Sequence, residues 1–243
     1  MSTPSFPGAV AASGLKVYDW QAADGLHGGT PHMHTASSEA YVVVAGRGEV
    51  HTLTPEGAQA DTLEPGTLLW FTPGTVHRLV NSGGLEIVTL MQNSGLPEAG
   101  DAVFTFPERV LADPGSYGAA ARLPQDAPEA QQAAAAEARR DLAMEGYLEL
   151  RASVQREGAE ALRRFHRSAA ELVRPRVAEW ERIWREGAAR EAQRTRRQLA
   201  SLAEGAPGLM EEAAVVRTEP LPGPRRFGMC GRLRKWRPRE DRR

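Results

Sequence analysis

One cysteine, two lysines and no long apolar run set the first limits on this chain of 243 residues. The single thiol, Cys230, cannot close an internal disulfide or build a thiolate zinc site, so it reads as an ordinary free thiol. No segment reaches the roughly 18 uninterrupted apolar residues that a membrane span needs, and the start lacks the basic residues and apolar core of a secretory leader. A cytoplasmic location, with no membrane partner, is the expectation. With only Lys16 and Lys235 as lysines, almost all positive charge is arginine. The net charge of −1 hides a division, because residues 1–110 hold four basic side chains against eleven acidic ones and the rest holds 26 against 20. That excess suits a solvated helix surface, and nucleic acid is not indicated.

From Leu15 to Gln92, short runs rich in Val, Thr, Tyr, Trp and Phe alternate with Gly and Pro clusters. Such spacing predicts an antiparallel sandwich or barrel, since no run is followed by an amphipathic segment of helix length. Turns are expected at Gly46-Arg47-Gly48 and Ser82-Gly83-Gly84. Further on, Leu162, Phe165, Ala169, Leu172, Val173, Val177, Trp180, Ile183 and Trp184 recur at intervals of three and four, the stripe of a helix that packs on the barrel or on a second subunit. Gly158 should end an earlier helix, Pro175 should kink this one, and Glu160–Arg164, Glu181–Arg185 and Glu186–Arg190 have favourable ion-pair spacing. The expected division is a flexible N-terminus over 1–14, a β-barrel over 15–107, a loop or linker over 108–127, an α-helical region over 128–205, and a basic, disordered tail over 206–243, of which the part after Pro224 should be removable with fold and metal content unchanged.

Five of the six histidines fall within the first 77 residues, two of them in His32-Met33-His34. Positions i and i+2 of a strand share a face, so both imidazoles can reach one ion at roughly 2.0 to 2.2 Å. The wider stretch reads His32-x-His34-x4-Glu39-x6-Gly46, followed by Gly66-x6-Pro73-Gly74-x2-His77-x3-Asn81. These two stretches resemble the paired motifs of the cupin superfamily, with one departure: Pro73 and Gly74 are adjacent where one residue usually intervenes. The resemblance covers residues 25–92 and implies a cupin barrel, an antiparallel jelly roll, which with the helical region makes an α+β protein. It also implies a metal held by His32, His34, Glu39 and His77. Three neutral imidazoles and one carboxylate suit a divalent Fe, Mn, Ni, Co or Zn ion and leave two positions of a six-coordinate ion open.

Other candidates follow from parity and position. Tyr41 shares strand parity with Glu39 and should line the cavity, and His51 is a candidate pocket acid or base if it is not an exposed strand histidine. His27 reads as a loop residue and His166 as solvent-facing. The resemblance implies a metal-dependent enzyme acting on a small organic molecule, with a lean to a dioxygenase-type oxidoreductase because basic residues that could hold a phosphate are scarce near the motifs. A metal-dependent isomerase or epimerase and a non-catalytic small-molecule sensor are the alternatives. The expected partners are that small molecule and a second copy in a homodimer.

Overall fold

A computed structural model describes residues 6–238; residues 1–5 and 239–243 lie outside the described residues. Strands β1 (Ala11–Val17), β2 (His32–His34), β3 (Glu39–Thr54), β4 (Gly57–Leu63), β5 (Leu68–Phe71), β6 (Val76–Met91) and β7 (Ala102–Phe104) pair antiparallel throughout. The expected turn at Gly46-Arg47-Gly48 is instead a bulged bend inside β3, and Ser82–Gly84 is a bend inside β6. Register shifts between Val43 and Gly48 sharply increase the local twist, which lets two long strands pass from one barrel wall to the other. Gly46 is required there: its φ is 72°, and a Cβ would stand 2.2 Å from the Gly84 carbonyl oxygen. The first wall runs β5, β3, the end of β6 and β1; the second runs β4, the end of β3, the start of β6, β2 and β7.

Between the walls lie Leu15, Val17, Tyr41, Val43, Phe71 and Ile87. The outer side of the second wall packs on helices, joining Leu53, Val76 and Val103 to Met144, Tyr147, Leu162 and Phe165. These helices are α3 (Glu129–Glu157) and α4 (Ala159–Val173), separated at Gly158. Gly146 brings α3 into backbone contact with the barrel, where a Cβ would meet the Thr105 carbonyl oxygen at 2.2 Å, and the Thr105 hydroxyl donates to the Ala143 carbonyl at 2.9 Å. The segment expected as a loop holds two helices, α1 (Glu108–Leu111) and α2 (Pro114–Ala121), the second capped by Asp113. Beyond a 3-10 turn around Pro175 come α5 (Val177–Trp184) and α6 (Arg190–Ala203). Of the stripe, Leu162, Phe165, Ala169 and Trp180 are buried, while Val177 and Trp184 are exposed. Glu181 pairs with Arg185 as spaced, but Glu160 takes Arg163 and Arg167, and Glu186 takes Arg182.

Two expectations of disorder are corrected. Residues 11–14, assigned to a flexible N-terminus, belong to β1. The tail carries β8 (Thr218–Pro220), β9 (Arg226–Phe227) and β10 (Gly231–Pro238), and β10 pairs with β1 from Ser13 opposite Lys235 to Val17 opposite Gly231. Its arginines have partners: Arg232 lies over the Phe227 ring at 4.0 Å and pairs with Glu129, and Arg225 pairs with Glu86. A strand needs only one apolar side, and Leu233 opposite Leu15 supplies it.

Candidate metal centre

Register brings the four candidate ligands together. His32 and His77 face each other across β2 and β6, His34 follows on the same face of β2, and Glu39 opens β3. All four are buried, and each offers a ligand atom within 4.8 Å of the others. His32 Nδ1 donates to the Thr30 carbonyl at 2.8 Å and His77 Nδ1 to the Thr75 carbonyl at 3.1 Å. A carbonyl only accepts, so each Nδ1 carries a proton and each Nε2 is the ring atom turned toward the cluster. His77 Nε2 lies 3.0 Å and His34 Nε2 3.3 Å from Glu39 Oε2, yet none of these three buried atoms has a hydrogen-bond partner. Converging lone pairs in a dry site demand a proton or a cation between them. The cluster could hold one metal ion.

The electrostatics follow the same geometry. Burial first, then the neighbouring His77 and His34, pushes His32 well below the ordinary imidazole range, which keeps it neutral. Burial also works to lower His34, but Asp101 and Glu39 outweigh it and raise the group to about 9. Glu39 stays ionised because His34 and His77 overcome the burial that would raise it.

Of the other candidates, Tyr41 is buried, with its ring edge-on to His77 at 6.3 Å; burial first and the Glu39 charge second hold its hydroxyl protonated. His51 is not brought in. It stands opposite Arg78, on the outer face of the wall whose inner face carries Thr52 and His77, and it pairs with Glu49 at 2.8 Å. His27 hydrogen-bonds the Asp19 carbonyl. His166 is not solvent-facing: its Nε2 donates to the Gly74 carbonyl at 2.8 Å, and the Gly74 N–H donates to the His34 carbonyl at 2.9 Å, so α4 is tied to the turn before His77. Phe71 stacks on His77 at 4.6 Å and also lines a recess of about 420 Å³ with Thr52, Asp61, Leu69, Trp70 and Thr75.

Two residues of the surroundings escaped sequence reasoning. Asp101 places Oδ2 3.5 Å from His34 Nδ1, while its Oδ1 accepts from the Thr35 and Ala36 N–H groups at 2.8 and 2.7 Å. The apolar run Ala102–Phe106 was the available sign of a further strand beside it. Cys230 is buried under His32, with Sγ 3.9 Å from Nδ1 and 3.8 Å from the Thr30 carbonyl, and burial pushes its thiol well up, so it stays neutral.

Residues 21–91 match the family model described as "Cupin domain", and this part of the chain is a cupin domain. No curated protein matches the chain. Among solved structures, a conserved protein with a double-stranded beta-helix domain from Klebsiella pneumoniae is 20% identical, covering 34% of this chain and 64% of its own, with a TM-score of 0.26. A predicted oxalate decarboxylase from Thermotoga maritima is 19% identical with the same coverages and TM-score. A nucleoside dehydratase from Streptomyces is 18% identical over 42% of this chain and 70% of its own, with a TM-score of 0.30. The chain thus spans 64% of the length of the first two, and none of the three bears on the reaction. Among the described residues no helix is long and apolar enough to cross a membrane.

Proposed function

We propose that the barrel holds one divalent metal ion through His32, His34, Glu39 and His77 and acts on a small organic molecule, in a dioxygenase-type oxidation. The observation that carries the metal reading is the set of buried, unpartnered atoms, His34 Nε2, His77 Nε2 and Glu39 Oε2, within a single donor cluster. When bound, such an ion supplies electrophilic activation at its open positions and, if redox-active, an electron path to dioxygen. The protein supplies the rest. The Thr30 and Thr75 carbonyls fix the imidazole tautomers, the protonated Tyr41 hydroxyl offers a hydrogen bond to a substrate oxygen, and Phe71 keeps water off His77. Arg78 is committed to Asp24, and Arg47 is exposed at the bend with Nε 3.5 Å from the Ser82 carbonyl, so neither stands at the cluster to hold a phosphate there. That favours an unphosphorylated substrate.

A second reading, a non-catalytic sensor, draws support from the link between His166 on α4 and the Gly74 turn, which ties the helices to the cluster. Metal-to-protein ratios after loading with Fe, Mn, Ni, Co and Zn in turn test the proposal, with His77→Ala as the ligand variant and His51→Ala as the control. Wild type and His51→Ala should retain about one equivalent and His77→Ala should lose it. Wild type that takes up none of the five leaves a metal-free module, and a loaded protein that holds a ligand without consuming dioxygen supports the sensor.

A further inference from the structure

We infer that His166 on α4 is a positioning residue for the candidate metal centre, holding the turn that leads into His77 and braces His34. This role rests on the proposed reading of the cluster as a metal site. Residues 72–75 run directly into β6, and two of the four candidate ligands lean on them. The Gly74 N–H donates to the His34 carbonyl at 2.9 Å, and the Thr75 carbonyl accepts from His77 Nδ1 at 3.1 Å. Gly74 has no side chain to anchor it and a φ of 88°, so its orientation depends on what its own N–H and carbonyl meet. The N–H meets His34, and the carbonyl accepts from His166 Nε2 at 2.8 Å. The fit is close, since a Cβ on Gly74 would stand 3.4 Å from that nitrogen.

The element that supplies His166 is firmly docked. Leu162, Phe165 and Ala169 of α4 are buried in one cluster with Leu53 and Val76, and Val76 precedes His77 in the chain. The helix therefore reaches this segment twice, by packing at Val76 and by a hydrogen bond at Gly74, on either side of Thr75. Thr72 and Pro73 are exposed, so the turn lies at the surface, where chain is mobile unless it is tied down. His166 is not one of the clustered donors, so it acts on them through Gly74. Groups that orient metal ligands in this way govern affinity although they never touch the ion.

Two substitutions separate the hydrogen bond from the bulk of the side chain. His166→Phe keeps a ring and loses the donor, whereas His166→Gln loses the ring and keeps an N–H near the place of Nε2. Cobalt(II) loading of the full chain compares them, by competition titration and by the visible ligand-field spectrum. His166→Phe should bind cobalt about 10-fold more weakly with a shifted spectrum, and His166→Gln should restore both toward wild type. A merely structural role would lower the melting temperature and leave the spectrum of the loaded protein unmoved. Should His166→Phe fail to fold, His166→Asn, whose amide falls short of the carbonyl, takes its place. In the metal-free protein, the ring-nitrogen chemical shifts of His34 and His77 should move in His166→Phe and return in His166→Gln. Wild type that takes up no cobalt defeats the metal reading, and these shifts then decide the positioning role by themselves. Wild-type affinity and spectrum in His166→Phe, His166→Gln no better than His166→Phe, or unmoved ring shifts in metal-free His166→Phe overturns the proposal.

Discussion

Between the barrel and the outer helices α5 and α6, the kind of contact that holds the chain changes. The barrel strands bury large apolar side chains on registers fixed by bulges, and each imidazole of the cluster leans on a carbonyl or a carboxylate. Along α5 and into α6 the contacts are mostly surface ion pairs such as Glu181–Arg185 and Arg182–Glu186, with Trp180 as the buried anchor, its indole N–H on the Ala99 carbonyl at 3.1 Å. Exposed ion pairs contribute little, so stability and site geometry should both reside in the barrel and in whatever closes it.

The strongest way to break that division is to remove β10, which belongs to the barrel although it comes last. Deletion after Pro224 strips the partner from β1 and uncovers Leu15, Val17 and the Cys230 side of His32. A loss of at least about 3 kcal/mol is expected, from ladder hydrogen bonds and re-exposed apolar residues, together with loss of bound metal. Chemical denaturation and metal analysis of the truncated chain check this; an unchanged midpoint would return the tail to dispensable status.

Asp101→Asn should act on the site with less effect on the fold. It removes the negative partner of His34 Nδ1, and a metal affinity lower by about 10 to 100-fold is expected by competition titration. In wild type, Asp101 and Glu39 hold the His34 proton up to about pH 9 against the effect of burial, so metal must displace it. Uptake should therefore release a proton and weaken as pH falls below about 9. A proton-neutral titration, or full affinity in the variant, counts against Asp101 as the partner that orients His34. Smallest of all is Glu181→Gln on α5, expected to change stability by less than about 0.5 kcal/mol with metal content untouched. A large fall in melting temperature there would erase the distinction between the two regions.

The four candidate ligands could be picked out because they come in two motifs with fixed spacing, and the helical stripe because its period is long. What escaped was long-range. The bends at Gly46 and Ser82–Gly84 read as turns because glycine marks both, and only the pairing of β3 with β6 tells them apart. Asp101 carries no local pattern, since its role depends on β7 lying beside β2. Arg232 and Arg234 masked β10: arginine density signals solvent until an aromatic ring and acidic neighbours are found beside it. His166 looked solvent-facing on a charged helix, and the Gly74 carbonyl it meets cannot be seen from its neighbours in sequence.

Because β1 lies between β6 and β10, the order of synthesis matters to the molecule. A ribosome delivers the ligand-bearing strands and the helices well before residues 231–238, and until those emerge one edge of β1 is a bare row of amide and carbonyl groups beside an open core. Until β10 emerges, the nascent barrel is therefore a template for unwanted strand pairing. Its last strand acts as a latch whose arrival, rather than the formation of the motifs, sets the moment at which the interior around the histidines becomes dry.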